Sequence, residues 1–251
     1  MSMRVTEYAG YFGKIPSKSD FVQGGLPGLA IRNWDNWLAH AIHESQQALG
    51  DNWLQTYLSS PIWRFSLDPG ILSENGWTGV LASSVDSVNR AYPLMLAVPF
   101  QPDVDTLDAA EILNAWLEQV EELTIRVIDG ALDVSEALNG LEKIGQNVRN
   151  DLAMSEKRLR WRDRYGVTKG WLVLGDGFPP VAALRTAVID GIGSKRQPAG
   201  RTCWWHAGWS GYKPAATLCL GLPNPKSFAG FLDGAWEHHN WVAQQASVPA
   251  S

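Results

Sequence analysis

Ile62-Trp63-Arg64-Phe65-Ser66-Leu67, Trp77-Thr78-Gly79-Val80-Leu81-Ala82-Ser83 and Leu94-Met95-Leu96-Ala97-Val98 are three short runs rich in aromatic and aliphatic residues. Asp68-Pro69-Gly70 and Glu74-Asn75-Gly76 stand between the first two. Such punctuation turns the chain sharply, because glycine and asparagine accept positive φ and proline presets a turn. The pattern predicts at least three antiparallel strands between residues 62 and 98.

Working outward, Tyr8 to Ile15 reads as a first strand, and Pro16 to Gly28, with two prolines and three glycines, as a long structured loop. Leu29 to Leu49 carries Ile31, Trp34, Leu38, Ile42 and Leu49 at the spacing of one helix face, and Gly50 stops it. Trp34 and Leu38 are expected to pack on the sheet. A short helix follows over Asp51 to Leu58, with Asp51 as its N-cap. Beyond the strands, one helix is predicted from Thr106 to Asp129, with Leu113, Trp116, Leu117, Val120 and Val127 on one face. The next begins at Asp133, with Glu136 as its capping-box partner, and ends at Gly145. Trp171–Leu174, Arg201–His206 and Thr217–Leu220 read as strands. Pro179–Asp190 reads as a helix, and another runs from Pro225 past Trp236. This order predicts an α/β protein of mixed α+β character, a three-layer αβα sandwich whose mixed, largely antiparallel sheet is flanked by helices. Residues 1–251 read as a single domain.

The chain is 45% hydrophobic and 19% charged, an ordinary globular composition. No stretch reaches the roughly 20 apolar residues of a membrane span. Met1 to Gly10 has no apolar run, which predicts no secretory signal. Two cysteines, Cys203 and Cys219, do not make a disulfide framework, and a reducing cytoplasm is the expected location. The net charge of -5 argues against nucleic-acid binding. Five bases crowd together as Lys157, Arg158, Arg160, Arg162 and Arg164. They form either a solvated face or a docking patch for an acidic or phosphorylated partner. The 13 tryptophans suit both a core and an interface.

Motifs for chemistry are weak. Gly10-Tyr11-Phe12-Gly13-Lys14 lacks the four-residue spacing of a nucleotide loop, and Ile15 stands where a hydroxyl is needed. Gly24-Gly25-Leu26-Pro27-Gly28 lacks the dinucleotide spacing. Cys203 and His206 fall on opposite faces of a strand, His40 and His43 have no third ligand, and His238-His239 is an adjacent pair. Gly208-Trp209-Ser210-Gly211 is one residue short of a nucleophile elbow. The expectation is a protein without enzymatic activity, metal or cofactor.

Three blocks stand out from this background. They are Gly10-Tyr11-Phe12-Gly13-Lys14-Ile15-Pro16-Ser17-Lys18-Ser19-Asp20-Phe21-Val22, Ser60-Pro61-Ile62-Trp63-Arg64-Phe65 and Ser84-Val85-Asp86-Ser87-Val88-Asn89-Arg90-Ala91-Tyr92-Pro93-Leu94. In this order and spacing the chain resembles the TagF family of type VI secretion accessory proteins over residues 8–98. Trp204-Trp205 and Phe231-Leu232-Asp233-Gly234-Ala235-Trp236 fit it more loosely. Ser19, Ser83 and Asn89 replace the glycine, proline and glycine usual in that family. Asn89 retains tolerance of left-handed backbone.

The resemblance implies a cytoplasmic, post-translational negative regulator that binds protein components of type VI secretion, among them a forkhead-associated-domain scaffold protein. A phosphatase-like enzyme of the same pathway and a structural subunit of the apparatus are the alternatives. Pro16–Phe21 and Ser84–Tyr92 lie between regular elements, where polar residues serve recognition. Lys14, Ser17, Asp20, Phe21, Ser84, Asp86 and Arg90 are therefore the candidate partner-binding residues. Asp20, Asp86 and Arg90 are expected close together in space. Their charges either face a partner or hold the loops, with an aspartate capping a turn and Arg90 bridging to it.

Overall fold

The computed structural model describes residues 8–100, 106–154, 171–174, 200–241 and 243–245. Nine strands form one sheet: β1 (Gly10–Gly13), β2 (Val22–Gly24), β3 (Trp63–Leu67), β4 (Gly76–Ala82), β5 (Leu94–Phe100), β6 (Trp171–Leu174), β7 (Arg201–His206), β8 (Ala215–Leu220) and β9 (Ala243–Gln245). Their order across the sheet is β2-β1-β5-β4-β3-β7-β8-β6-β9. Every pairing is antiparallel except β6 with β9, which is parallel. The mixed, largely antiparallel sheet is as the sequence predicts. The three central strands depart by only a residue or two from their expected bounds.

Helices cover both faces, completing three layers. On one face lie α1 (Gly28–Leu49), α2 (Trp53–Ser59) and α6 (Ala229–Asp233). The other carries α3 (Thr106–Ile112), α4 (Asn114–Ile128) and α5 (Val134–Met154). Strand alternation distributes the side chains: Leu94, Leu96, Val98 and Phe100 face α3–α5, while Met95 and Ala97 face α1. Trp204 and Trp205 likewise part to opposite cores.

Eight of the tryptophans, Trp34, Trp37, Trp53, Trp63, Trp77, Trp204, Trp236 and Trp241, are buried in the α1 layer, so the unusual composition is mainly a core feature. Buried indoles need acceptors, and most find one within the protein. Trp37 donates to the Pro223 carbonyl at 2.8 Å, Trp53 to Ser45 Oγ at 2.8 Å and Trp63 to the Phe231 carbonyl at 2.9 Å. Trp34 has its Nε1 sealed from solvent without a partner among the described residues. It packs instead on Trp37 and Phe65, each 5.2 Å away between ring centroids, and on Trp204 at 6.0 Å.

Several local expectations are corrected. The loop Pro16–Gly28 contains the edge strand β2, because Val22 to Gly24 pairs with β1. Asp51 is no N-cap: Gly50–Asn52 is a 3-10 turn continuous with α2, and Trp53 N–H bonds the Gly50 carbonyl. The helix foreseen over Thr106–Asp129 breaks at Leu113 (φ -92, ψ 0), which is buried where the chain turns from α3 to α4. Asp133 does cap α5, accepting from Ser135 N–H at 2.8 Å, but Gly145 does not end it. The position faces Val98 of β5, which a Cβ would meet at an ordinary 3.4 Å, and the helix runs through it. The last helix is also broken, since Gly234 at φ 70 ends α6 before a 3-10 turn at Trp236–His239. The helix expected over Pro179–Asp190 and the basic cluster Lys157–Arg164 lie outside the described residues.

Trp34 and Leu38 are fully buried, as the helix periodicity requires. Trp34→Ala is expected to cost about 3–5 kcal/mol through the cavity it leaves. Trp34→Phe should cost clearly less, because it removes the orphan donor along with part of the ring. Urea unfolding of the two variants checks the ranking.

Candidate protein-docking surface

The register of β1 on β5 sets Phe12 opposite Met95. The chain leaving β1 and the chain entering β5 therefore emerge at the same end of the sheet, although they are far apart in sequence. Gly13 begins the first loop at φ 146, where a Cβ would stand 2.2 Å from the Pro93 carbonyl oxygen. Only glycine permits that approach.

The second loop is a compact turn built on Asp86. Val85 bridges to Ala91, Asp86 N–H bonds the Arg90 carbonyl at 3.1 Å, and Asn89 N–H bonds the Asp86 carbonyl at 2.9 Å. Asn89 adopts φ 62, so it supplies the left-handed position. Asp86 Oδ1 accepts from the N–H groups of Val88 (3.0 Å) and Arg90 (2.9 Å). Its Oδ2 accepts from Lys14 Nζ at 2.9 Å and Arg90 Nε at 2.6 Å. Burial opposes ionisation of this carboxyl. The four donors, led by the Arg90 backbone N–H, outweigh that cost and hold it well below the usual carboxylate range.

The two loops are thereby locked to each other. Lys14 reaches Asp86 from the first loop's root, the Arg90 guanidinium donates to the Ser19 carbonyl, and Ser87 N–H bonds the Lys18 carbonyl at 2.9 Å. Helix α2 props the platform from below. Tyr57 Oη donates to the Ser84 carbonyl at 2.8 Å and accepts from Ser84 N–H at 2.9 Å. Burial pushes the Tyr57 phenol well above its ordinary value, so it stays a donor. Tyr92 Oη donates to Asp35 of α1 at 2.6 Å. Phe21 closes the seam, stacked on Phe12 at 5.5 Å, edge-on to Tyr92 at 4.8 Å, with Lys14 Nζ 5.1 Å from its ring centre.

The seven candidate residues separate by exposure. Lys14, Ser84 and Asp86 are buried and hold the loops from behind. Ser17, Asp20, Phe21 and Arg90 reach solvent, Phe21 with 42% of its surface. Asp86 and Arg90 pair, and the bond from the Arg90 guanidinium to the Ser19 carbonyl sets them beside the peptide that leads into Asp20, whose carboxylate accepts from the adjacent Phe21 N–H at 2.8 Å. Tyr57 and the exposed tip residue Val88 were not among the candidates. Tyr57 reads as one more residue on a helix, and its clamp on Ser84 spans 27 positions. Among the described residues there is no group of three or more His, Cys, Asp and Glu that could hold a metal, and no helix is long and apolar enough to cross a membrane. Lys14 is spent on Asp86, and His40 and His43 are exposed on α1.

The fold is thus a mixed sheet between two helical layers, bearing two interlocked loops with apolar and charged residues at the tip. Residues 10–144, more than half the chain, match the model of the TagF N-terminal domain, type VI secretion system-associated, and the chain belongs to this family. It is similar to PA0076 from Pseudomonas aeruginosa PAO1, whose crystal structure was determined at 2.05 Å resolution. The two share 27% identity over 90% of this chain and 94% of that one, with a TM-score of 0.64. Comparison with curated proteins gives no match.

The folded-state carboxyl of Asp86 is depressed, so its stabilising effect is present above its ordinary value of 3.8 and is lost as pH falls below it. Asp86→Asn is therefore expected to lower the melting temperature at neutral pH and to flatten its decline at acid pH. Circular-dichroism melts across the acid range test this. An unchanged acid limb would mean that the carboxylate does not hold the loops.

Proposed function

We propose that this type VI secretion-associated protein is a negative regulator that acts after translation by binding another protein through the two-loop platform, without chemistry of its own. The observation that carries this reading is the Lys14–Asp86–Arg90 network, centred on the buried Asp86 carboxylate. It spends charge on rigidity, not on catalysis, and it leaves Phe21, Val88 and the Arg90 side chain at the surface. A surface ordered before binding loses less conformational entropy when a partner docks. Exposed aromatic, aliphatic and arginine side chains on such a surface fit the composition of binding hot spots. Family membership points to a protein of the secretion system as the partner. A forkhead-associated-domain scaffold is the first candidate, met inside the cytoplasm.

Val88 separates binding from folding most cleanly. It is 60% exposed at the tip of the turn. Val88→Glu should change stability by no more than about 0.5 kcal/mol, as surface substitutions usually do. In cells carrying a type VI apparatus it should raise export into the medium and abolish co-purification of the partner. Arg90→Ala should act in the same direction while the protein stays folded. Undiminished repression by folded Val88→Glu protein would exclude this surface as the regulatory one.

A further inference from the structure

A cavity of about 180 Å³ takes no part in the two-loop platform. It lies between the start of β3, the end of β7, the β7–β8 hairpin and the segment from α6 to the Trp236 turn. Trp63, His206, Tyr212, Phe231, Asp233 and Trp236 are among its lining residues. Its walls are largely aromatic and already fixed by one another. Trp63 packs on Phe231 at 4.4 Å and on Trp236 at 5.7 Å, and Tyr212 Oη donates to the Leu232 carbonyl at 2.8 Å.

Two polar groups in this apolar frame have unused capacity. His206 is only 5% exposed, and its Nδ1 accepts from Gly208 N–H at 3.1 Å. Accepting there requires that Nδ1 carry no proton, so the neutral ring holds its proton on Nε2. Burial pushes the imidazole down to about 4, which keeps it neutral. Its Nε2–H has no hydrogen-bond partner among the described residues, and the ring meets Trp63 edge-on at 4.5 Å. Asp233 supplies the complementary acceptor. Oδ1 takes the Ala235 N–H at 2.8 Å and Oδ2 meets His239 Nε2 at 2.8 Å, and each carboxylate oxygen can accept once more. Lys213 also lines the cavity and is engaged in an interaction of its own.

A donor and an acceptor on one cavity with aromatic walls select a small polar group that offers both. We propose that this cavity binds a carboxamide, whose carbonyl accepts from His206 Nε2–H and whose N–H donates to Asp233, with the planar group packed among Trp63, Phe231 and Trp236. The amide belongs either to a free small molecule or to a glutamine or asparagine side chain of a peptide. In the second case Trp209, 57% exposed on the same hairpin, widens the contact.

The test is an NMR titration of the intact protein, labelled at histidine and tryptophan. The probes are propionamide, 2-butanone and an acetylated Ala-Gln-Ala amide. Propionamide should saturate in the millimolar range, as befits a ligand of few atoms, and shift His206 Nε2–H with Trp63 and Trp236. Butanone, of similar shape but without a donor, should bind about tenfold more weakly, the worth of one hydrogen bond. Tighter binding of the tripeptide than of propionamide assigns the site to a peptide side chain, and the reverse assigns it to a free amide. His206→Phe should abolish the propionamide response while circular dichroism stays native. Equal shifts with butanone, or no saturable shift of His206 with either amide on the wild-type protein, would overturn the proposal independently of how the variant folds.

Discussion

Pairing of β1 with β5, Phe12 opposite Met95, is the constraint from which the platform follows. Side chains alternate along a strand, so a slip by one residue would exchange the two cores and turn Phe12 out of the α1 layer. In the observed register Phe12 lies under Phe21 and Tyr92, and Lys14 stands within 2.9 Å of Asp86. The same register brings the ends of two loops together, so their ordering is a property of the sheet and needs no partner. The close approach of Gly13 to Pro93 serves the same end.

Around this seam the molecule answers the demands of a polar-containing core in two ways. Buried charges are met by several donors at once. Asp86 accepts four hydrogen bonds, and Asp68 accepts from the N–H and Nε of Arg201 at 2.9 and 3.2 Å and also from the Thr106 hydroxyl. Arg64 passes through the helical layer to Glu121 at 2.7 Å and Asn114 at 3.0 Å, tying β3 to α4. Most buried indole donors are met by carbonyls and hydroxyls within reach. These contacts are costly to break singly, because the group left behind is stranded out of water. They fix which helix lies on which strand more firmly than apolar contact alone.

The two-loop platform and the aromatic cavity draw on this scaffold differently. At the platform, the buried polar groups are consumed in holding backbone, and Phe21, Val88 and Arg90 face solvent among small polar residues. In the cavity, the aromatic frame is held by its own packing and by indole and phenol hydrogen bonds, and the polar groups retain capacity. The first arrangement suits a flat protein partner, and the second suits a small group entering a recess.

The sequence by itself determined the strands between residues 62 and 98, the buried face of α1 and the placement of both loops between regular elements. Hydrophobic periodicity, turn residues and glycine stops act over a few positions, so a linear reading captures them. The opposed faces of Cys203 and His206 follow from strand geometry alone and hold in the fold. Tertiary structure alone decided the break at Leu113, the run of α5 through Gly145 and the bond from the Arg90 guanidinium to the Ser19 carbonyl. It likewise set the clamp of Tyr57 on Ser84 and the tautomer of His206. Each of these depends on an atom brought close by a strand or helix distant in the chain. No local pattern of residue types carries that distance, because burial and hydrogen-bond partners are set only once both cores have closed on the sheet.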